Sequence, residues 1–304
     1  MSATDWSILG VLSILWGGSF FFLALALKGL PPFTIVLGRV GFAALLLYSY
    51  MRIVGQVLPT GRTVWASFFV VAFFANALPF AMFAYGQQSV SSGLASILNA
   101  TTPLWGVLIA HFFTHDERAT PGKVVGVLLG IAGVVVMTGS DALSGVGGSV
   151  VGQAACLVAT LAYAIAGVYS KRFKPMGITP LAVSTGQLTA AAILVFPLAV
   201  AFEHPWTLSV PPMSAIWGMA GLVILSTTFA YVLFFRLIEI AGASNTLLVT
   251  FLIPVTAILL SVFVLGETID TKHFAGMALI ASGLAAIDGR LFAKIRKTTQ
   301  EVVP

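Results

Sequence analysis

The chain has 304 residues, of which 59% are hydrophobic and only 8% are charged, against roughly a quarter charged in soluble domains. A soluble core cannot absorb this much apolar surface, so the composition excludes an ordinary globular protein and indicates a polytopic membrane protein. The formal net charge of +5 falls in the connections between apolar runs, without a basic stripe or an aromatic platform, so nucleic acid is not an expected partner.

Ten apolar segments, separated by charges, glycine and proline, are long enough to cross a hydrocarbon core of roughly 30 Å. In chain order they cover approximately residues 6–27, 33–52, 63–86, 90–113, 121–139, 149–170, 179–202, 213–236, 243–265 and 272–291. The first has no basic region before it and no small-residue cleavage site, so we expect a retained helix and not a signal peptide. The sequence predicts an all-α integral membrane protein.

Lysine and arginine are distributed unevenly over the connections. With the N-terminus inside, twelve of them lie on the cytoplasmic side: Arg52, Arg62, Arg118, Lys123, Lys171, Arg172, Lys174, Arg236, Arg290, Lys294, Arg296 and Lys297. Only Lys28 and Lys272 lie on the other side. This bias predicts cytoplasmic N- and C-termini. The basic tail, residues 293–304, is then cytoplasmic, where the basic run would anchor the last helix on an anionic leaflet or bind a headgroup or partner.

The fourth and ninth segments each contain a proline where a bilayer would be driest. Asn99 and Pro103 lie in the fourth segment, and Thr250 and Pro254 lie at matching depth in the ninth. Proline removes a backbone donor and frees a carbonyl one turn earlier, and lipid satisfies neither loss, so such a site must face protein or a wet cavity. Two interrupted segments in corresponding positions of two halves are typical of a transporter's binding site.

Other residues repeat between the two halves. Gly126 and Gly133 recur as Gly276 and Gly283, Pro32, Gly38 and Arg39 align with Pro180, Gly186 and Gln187, and Trp16 aligns with Tyr163. Because each half has five segments, an odd number, the second half must enter the membrane from the opposite side, which makes an inverted repeat. We expect one repeat in residues 1–140 and the other in 149–292. Gly126, Gly130, Gly133, Gly276 and Gly283 are expected to pack against a neighbouring helix or protomer.

These features together resemble the drug/metabolite transporter superfamily, and within it the EamA-type exporters of amino acids and other metabolites. The resemblance is carried by the stretch 16–20, by Arg39 and by the stretch 99–103 followed by Glu117. The proline and the terminal acid of that stretch recur in the second half as Pro254 and Glu267. It implies ten helices in a basket around a central cavity, formed mainly by the first, third, fourth, sixth, eighth and ninth segments, with efflux as the usual direction. The sequence departs from internal symmetry at Gln187, which aligns with Arg39.

Polar and aromatic residues recur three or four positions apart on these segments, so that they share a helix face. The predicted substrate-binding residues are Trp16, Ser19, Phe20, Asn76, Pro79, Phe83, Asn99, Pro103, Tyr163, Thr227, Tyr231, Thr250 and Pro254. The aromatic residues lie at mid-depth, away from the interfacial belts. They suit a flat apolar side chain through stacking, although ordinary core packing also explains them. Small residues on the same faces are equally explained by close helix packing.

Charge inside the membrane separates the possible mechanisms. No Asp or Glu lies at mid-depth, where a pump for lipophilic cations would hold a carboxylate. Arg39 lies inside the second segment and would attract a carboxylate, snorkel, or bond helix carbonyls. We therefore expect facilitated export, by alternating access, of small neutral or zwitterionic metabolites, with aromatic or large neutral amino acids favoured. A proton-coupled drug or metabolite efflux pump is the alternative.

Other classes of protein are less compatible with the residues present. An enzyme would need a nucleophile with a base, paired carboxylates or a metal cluster at one depth. His111 and His115 have helical spacing but no third ligand, and Cys156 is the only cysteine, so we expect no enzyme activity, cofactor or metal. A non-transporting lipid-handling or scaffold protein is the remaining alternative. The expected partners are a small-molecule substrate and the bilayer of a cell's inner membrane, for a monomer or homodimer.

Overall fold

The computed structural model describes residues 2–113, 120–143, 147–241 and 249–288, and within these ranges the chain forms helices and no strand. Ten helical segments follow one another: α1 Ala3–Ala26, α2 Pro32–Ile53, α3 Arg62–Gly86, α4 in two halves Ser92–Asn99 and Thr102–Phe113, α5 Pro121–Leu143, α6 Gly147–Ser170, α7 Pro180–Glu203, α8 213–241, α9 Val249–Phe263 and α10 Thr271–Asp288. Each predicted segment therefore contains a helix. His115, Glu117 and the basic tail 293–304 lie outside the described residues.

Length and apolarity distinguish the helices from one another. Of the described helices, seven are long and apolar enough to cross a membrane: α1 to α4 and α6 to α8. The other three contain shorter apolar stretches, at Pro121–Met137, Leu252–Phe263 and Thr271–Ile287. The helix α5 runs on to Leu143 and α6 begins at Gly147, so both helix ends fall in the interval between the two expected repeats. Glycine and serine, which are frequent there, are compatible with helix ends.

The starts of several helices follow directly from their first residues. Ser2 caps α1, where its hydroxyl accepts a hydrogen bond from the backbone N–H of Asp5 and the Asp5 carboxylate accepts one from the backbone of Ser2. Ser91 and Thr179 cap α4 and α7 in a similar way. Proline begins α2, α5 and α7, because its fixed φ suits the first turn and its missing N–H has no helical partner there.

The two halves pack with an internal pseudo-two-fold relation. The helix α1 packs against α8 and α9, whereas α6 packs against α3 and α4. Three further contacts each join a helix to its counterpart in the other half: α2 with α7, α5 with α10, and the first half of α4 with α9. Exchanging the first five helices with the last five therefore converts every one of these contacts into a contact that is also present. This pairing is that of two five-helix repeats built around one centre.

Glycine determines how closely α5 and α10 approach. A Cβ atom placed on Gly133 would lie 2.6 Å from the carbonyl oxygen of Gly276, and one on Gly276 would lie 2.7 Å from that of Gly133. Gly126 and Gly283 face each other in the same way, whereas Gly130 lies against Leu104 of α4. The glycines predicted to mediate packing therefore do so within the chain, and the neighbour is a helix of the same protomer.

Three helices depart from regular α geometry near the middle of the bundle. The helix α3 contains a π-helical turn at Phe73–Ala77, and α8 contains a longer one at Gly221–Phe229. The helix α4 is interrupted between Asn99 and Thr102, as the proline predicted. In contrast, α9 continues through Pro254, so the unwound backbone expected there is wrong. An interior proline can kink a helix without ending it.

Candidate functional site

A polar network lies where α3, α7 and α8 meet. Asn76, in the π-helical turn of α3, donates a hydrogen bond from Nδ2 to the hydroxyl of Tyr231 at 3.4 Å. Gln187 of α7 donates from Nε2 to the same hydroxyl at 3.2 Å. The side chain of Asn76 is fully buried, and its Oδ1 has no hydrogen-bond partner in the described part of the chain. An unpaired buried acceptor of this kind is rare in native proteins and needs an explanation.

Arg39 of α2 lies beside this network. Its side chain is 8% exposed, its Nε donates a hydrogen bond to the Thr227 hydroxyl at 2.9 Å, and its guanidinium carbon lies 3.8 Å from the ring centroid of Phe80. Tyr231 lies four residues after Thr227 on the same helix, α8. Within the described ranges, no carboxylate forms an ion pair with Arg39.

Aromatic rings from both repeats contact one another on the helices α1, α3, α6 and α8, two of which also carry the polar network. Trp16 of α1 packs against Phe234 of α8, with ring centroids 5.2 Å apart. Phe83 of α3 lies 6.1 Å from Tyr163 of α6 and makes an edge contact with Phe20 of α1 at 5.4 Å. The first and second of these contacts correspond to each other under the pseudo-two-fold relation, so both repeats contribute to an aromatic wall. We use this name for the five rings Trp16, Phe20, Phe83, Tyr163 and Phe234.

The internal repeat explains which side chains meet. When α3 and α8 are aligned by the offset that relates Pro103 to Pro254, the residues that correspond are Asn76 with Thr227, Phe80 with Tyr231, and Phe83 with Phe234. Arg39 bonds Thr227, while its counterpart Gln187 bonds Tyr231, the residue that Asn76 also bonds. The predicted substrate-binding set did not include Phe80, Phe234 or Gln187. The internal repeat would have identified all three, since each aligns with a residue that the sequence singled out.

The remaining predicted residues flank this network. Asn99 ends the first half of α4, where its carbonyl accepts a hydrogen bond from the Thr102 hydroxyl at 2.8 Å, and Pro103 follows in the second half. Pro254 is buried and lines an apolar cavity of about 210 Å³ between α4, α9 and α10. In the described part of the chain no hydrogen bond or ring contact joins Asn99, Pro103 or Pro254 to Tyr231. Asn99 and Pro103 therefore have no direct contact with the Tyr231 hydroxyl, and any part they take in the site is separate from this network.

Ser19, Pro79 and Thr250 complete the predicted set. Ser19 is half-buried on α1, one residue before Phe20 of the aromatic wall. Pro79 is buried on α3, one turn after Asn76. Thr250 is half-buried in the first turn of α9. The described residues contain no group of three or more histidine, cysteine, aspartate and glutamate side chains that could hold a metal ion.

A second polar cluster closes one end of the bundle. The carboxylate of Glu267, just beyond α9, accepts hydrogen bonds from the backbone N–H and the hydroxyl of Ser92 and from the hydroxyl of Ser261. Gln87, at the end of α3, donates from Nε2 to the Ser92 hydroxyl at 3.1 Å and to the carbonyl of Phe20 at 3.0 Å. These contacts tie helices of both repeats together above the aromatic wall. We call this set the Glu267 cluster.

Comparison with known proteins shows several transporters of similar length. The chain is 25% identical over 284 residues to an uncharacterized transporter, YoaV, of Bacillus subtilis, covering 91% of this chain and 94% of the relative. It is 24% identical over 278 residues to an uncharacterized inner membrane transporter, YedA, of Escherichia coli, covering 91% and 88%. The protein PagO of Salmonella typhimurium is 25% identical over 263 residues, covering 86% and 85%.

A solved structure has the same fold. It superposes with a TM-score of 0.66 over 97% of this chain and 99% of its own, at 22% sequence identity. The model of the EamA-like transporter family matches the chain twice, at residues 5–139 and 150–287. The two matched stretches contain the five helices before and the five after the connection between α5 and α6. The chain is a multi-pass membrane transporter, and it belongs to the EamA-like transporter family.

Proposed function

We propose that the protein exports small neutral or zwitterionic metabolites, and that aromatic or large neutral amino acids are its preferred substrates. The observation that carries this proposal is the unpartnered Oδ1 of Asn76, fully buried beside the aromatic wall. Leaving a buried acceptor unpaired costs about 1–3 kcal/mol, which a donor on a bound solute would recover. The ammonium group of an amino acid supplies such a donor.

The aromatic wall supports the second half of the proposal. Its rings come from four helices and from both repeats. Flat or bulky apolar side chains gain both from burial and from ring contacts, which contribute roughly 0.5–1.5 kcal/mol beyond the buried area. A large neutral amino acid fits this arrangement, with its polar groups at Asn76 and its apolar side chain among the rings.

Transport would proceed by alternating access of the two repeats, which we place at 1–140 and 149–292. The break in α4 and the proline in α9 lie at the contact between repeats, where a change of helix direction would open one end of the bundle and close the other. In the described part of the network no acidic side chain is available to carry a proton. This favours facilitated movement down a concentration gradient, without catalysis and without a coupling ion.

The distribution of lysine and arginine further supports an inner membrane location with cytoplasmic termini. Relatives named as inner membrane transporters agree with this location. The packing glycines of α5 and α10 make their close contacts within one chain. They therefore do not distinguish a monomer from a homodimer, and both are compatible with the proposal.

The test is transport by the purified protein in liposomes, using labelled tryptophan, phenylalanine, tyrosine, leucine and alanine, with and without an imposed pH gradient. Saturable flux of the aromatic amino acids without a gradient is the expected result. Movement of a cationic dye driven by the gradient, with no amino-acid flux, would support a drug pump and overturn the proposal.

Three variants locate the site in the same assay. Replacing Asn76, Asn99 or Tyr163 by alanine, one at a time, should reduce flux without lowering the folded yield. Tyr85→Ala is the matched control, because Tyr85 lies on α3 but faces outward with 49% of its surface exposed. Flux that is unchanged in all three variants would contradict the assigned site.

A further inference from the structure

The guanidinium of Arg39 is a buried cation without a buried anion among the described residues. Sequence analysis left three roles open, namely pairing with a carboxylate, snorkelling to the interface and bonding helix carbonyls. The structure excludes snorkelling, because the side chain is 8% exposed and its head lies over the Phe80 ring. Its hydrogen bond goes to the Thr227 hydroxyl and not to a carbonyl. Burying a charge without a counter-charge is costly, so the missing partner is the feature to explain.

We infer that Arg39 binds the carboxylate of the transported molecule, and that a single carboxylate on the substrate is required for recognition. This inference rests on the proposed transport function and specifies which group on the solute the site recognises.

The position of the guanidinium suits this role. Arginine has five N–H donors in a planar fork, and Thr227 occupies only the one on Nε. Phe80 covers one face of the plane and fixes its direction. The edge that carries Nη1 and Nη2 has no hydrogen-bond partner in the described ranges, and this edge is the one that pairs with both oxygens of a carboxylate.

A second donor is available beside it. The Tyr231 hydroxyl accepts hydrogen bonds from Asn76 and Gln187, and none of the described residues accepts a hydrogen bond from it. Tyr231 lies four residues after Thr227 on α8, and Thr227 is the residue that Arg39 bonds. The unsatisfied donors of the network therefore gather around one cation, which is the arrangement expected of a receptor for an anionic group.

The internal repeat limits the number of carboxylates to one. Gln187 holds the position that corresponds to Arg39 in the second repeat, and its amide is already bonded to Tyr231. A site with one cation matches a monocarboxylate, whereas a dicarboxylate would leave one charge without a partner. An amine without a carboxylate would meet an uncompensated positive charge, so the same residue excludes cations.

Four related compounds test this inference on the purified full-length protein in nanodiscs: phenylalanine, 3-phenylpropanoate, phenethylamine and phenylsuccinate. Binding is measured by titration calorimetry and by the ligand-induced shift in melting temperature. We expect phenylalanine and 3-phenylpropanoate to bind, and phenethylamine and phenylsuccinate to bind at least tenfold more weakly. Equal affinity for phenethylamine and phenylalanine, or no binding of any of the carboxylates, would overturn the inference.

The variant Arg39→Gln separates recognition from stability. It installs the residue that the second repeat has at the same position, and it should lower the affinity for both monocarboxylates at least 100-fold. Because it removes an unpaired buried charge, its melting temperature without ligand should stay the same or rise. A structural arginine would give the opposite pattern, with a lower melting temperature and unchanged affinity of the folded fraction. Arg39→Lys keeps the positive charge but lacks the planar guanidinium that pairs with both carboxylate oxygens. It should bind the monocarboxylates more tightly than Arg39→Gln and less tightly than the unmodified protein.

The two proposals fail in different ways. If no amino acid is transported but 3-phenylpropanoate binds in an Arg39-dependent manner, the proposed amino-acid function is wrong and the role of Arg39 stands. If amino acids are transported equally well by Arg39→Gln, the function stands and the role of Arg39 is wrong.

Discussion

The carboxylate of Glu267 bonds the first turn of α4 across the boundary between the repeats, where its Oε2 accepts a hydrogen bond from the backbone N–H of Ser92 at 2.9 Å. A carboxylate at a helix N-terminus satisfies orphan N–H groups and is favoured by the helix dipole. Because α4 and the chain after α9 belong to different repeats, this contact joins the two repeats at one end of the bundle.

Glu267→Ala should destabilise the protein. Loss of a helix cap of this kind costs about 1–2 kcal/mol, so we expect the melting temperature to fall by several degrees in a thermal shift assay. Asp270→Ala is the control, since Asp270 is an exposed carboxylate in a 3.8 Å pair with Lys272 and exposed pairs contribute little. Equal melting temperatures for the two variants would show that the Glu267 cluster does not hold this end of the bundle closed.

Tyr231→Phe should impair transport more than folding. The change removes the hydroxyl that accepts from Asn76 and Gln187, so two buried amides lose a partner at the site. We expect amino-acid flux in liposomes to fall roughly tenfold, which corresponds to about 1.4 kcal/mol. Tyr85→Phe removes a hydroxyl from an outward-facing residue on α3 and should transport normally. Normal flux in Tyr231→Phe would remove this hydroxyl from the substrate site.

Gly133→Ala and Gly276→Ala should both destabilise the contact between α5 and α10. Each added Cβ would lie 2.6–2.7 Å from a backbone oxygen of the opposite helix, so the helices must separate, at a cost of roughly 1–3 kcal/mol. Gly41→Ala is the matched control, because a Cβ added to Gly41 would meet no atom within 4 Å. The control should unfold at the same temperature or higher, since alanine favours helix. Unfolding of all three at the same temperature would contradict the close contact.

Cysteine labelling tests the orientation in the membrane. In a Cys156→Ala background, Val210→Cys, between α7 and α8, should react with an impermeant maleimide on intact cells, and Thr60→Cys, between α2 and α3, only after permeabilisation. Both positions are exposed in the structure. The cysteine-free background controls for other reactive groups. The reverse pattern would place the termini outside.

Much of the fold could be predicted from the sequence because span length and proline placement are local properties. The ten segments and the interruption beside Pro103 depend on hydropathy and on a missing N–H. The π-helical turn at Phe73–Ala77 was not predicted, because a single extra residue in a helical turn does not change the hydropathy of the segment. Pro254 was wrongly expected to unwind α9, since its effect depends on the neighbouring helices.

The sequence singled out several of the side chains that form the polar network, but not how they connect, and their role in binding substrate stays a prediction. Asn76 and Tyr231 were identified because buried amides and mid-depth aromatic residues are unusual in lipid. Their hydrogen bond, and the place of Gln187 beside it, depend on how α3, α7 and α8 are rotated about their axes. Hydrophobic periodicity does not define that rotation in a membrane protein, where both lipid and protein faces are apolar.

Contacts between the ends of α2 and α7 join the two halves of the chain. Glu203, at the end of α7, accepts hydrogen bonds from the backbone N–H groups of Phe33 and Thr34 at 2.8 and 2.6 Å, and the hydroxyl of Thr179, at the start of α7, donates a hydrogen bond to the side-chain oxygen of Gln56 beyond α2 at 2.7 Å. The second half therefore caps a helix of the first, and a side-chain hydrogen bond joins the same two helices at their other ends. The two halves resemble the protomers of an obligate dimer joined by a tether, and a chain cut at the tether should assemble only when both pieces are made together.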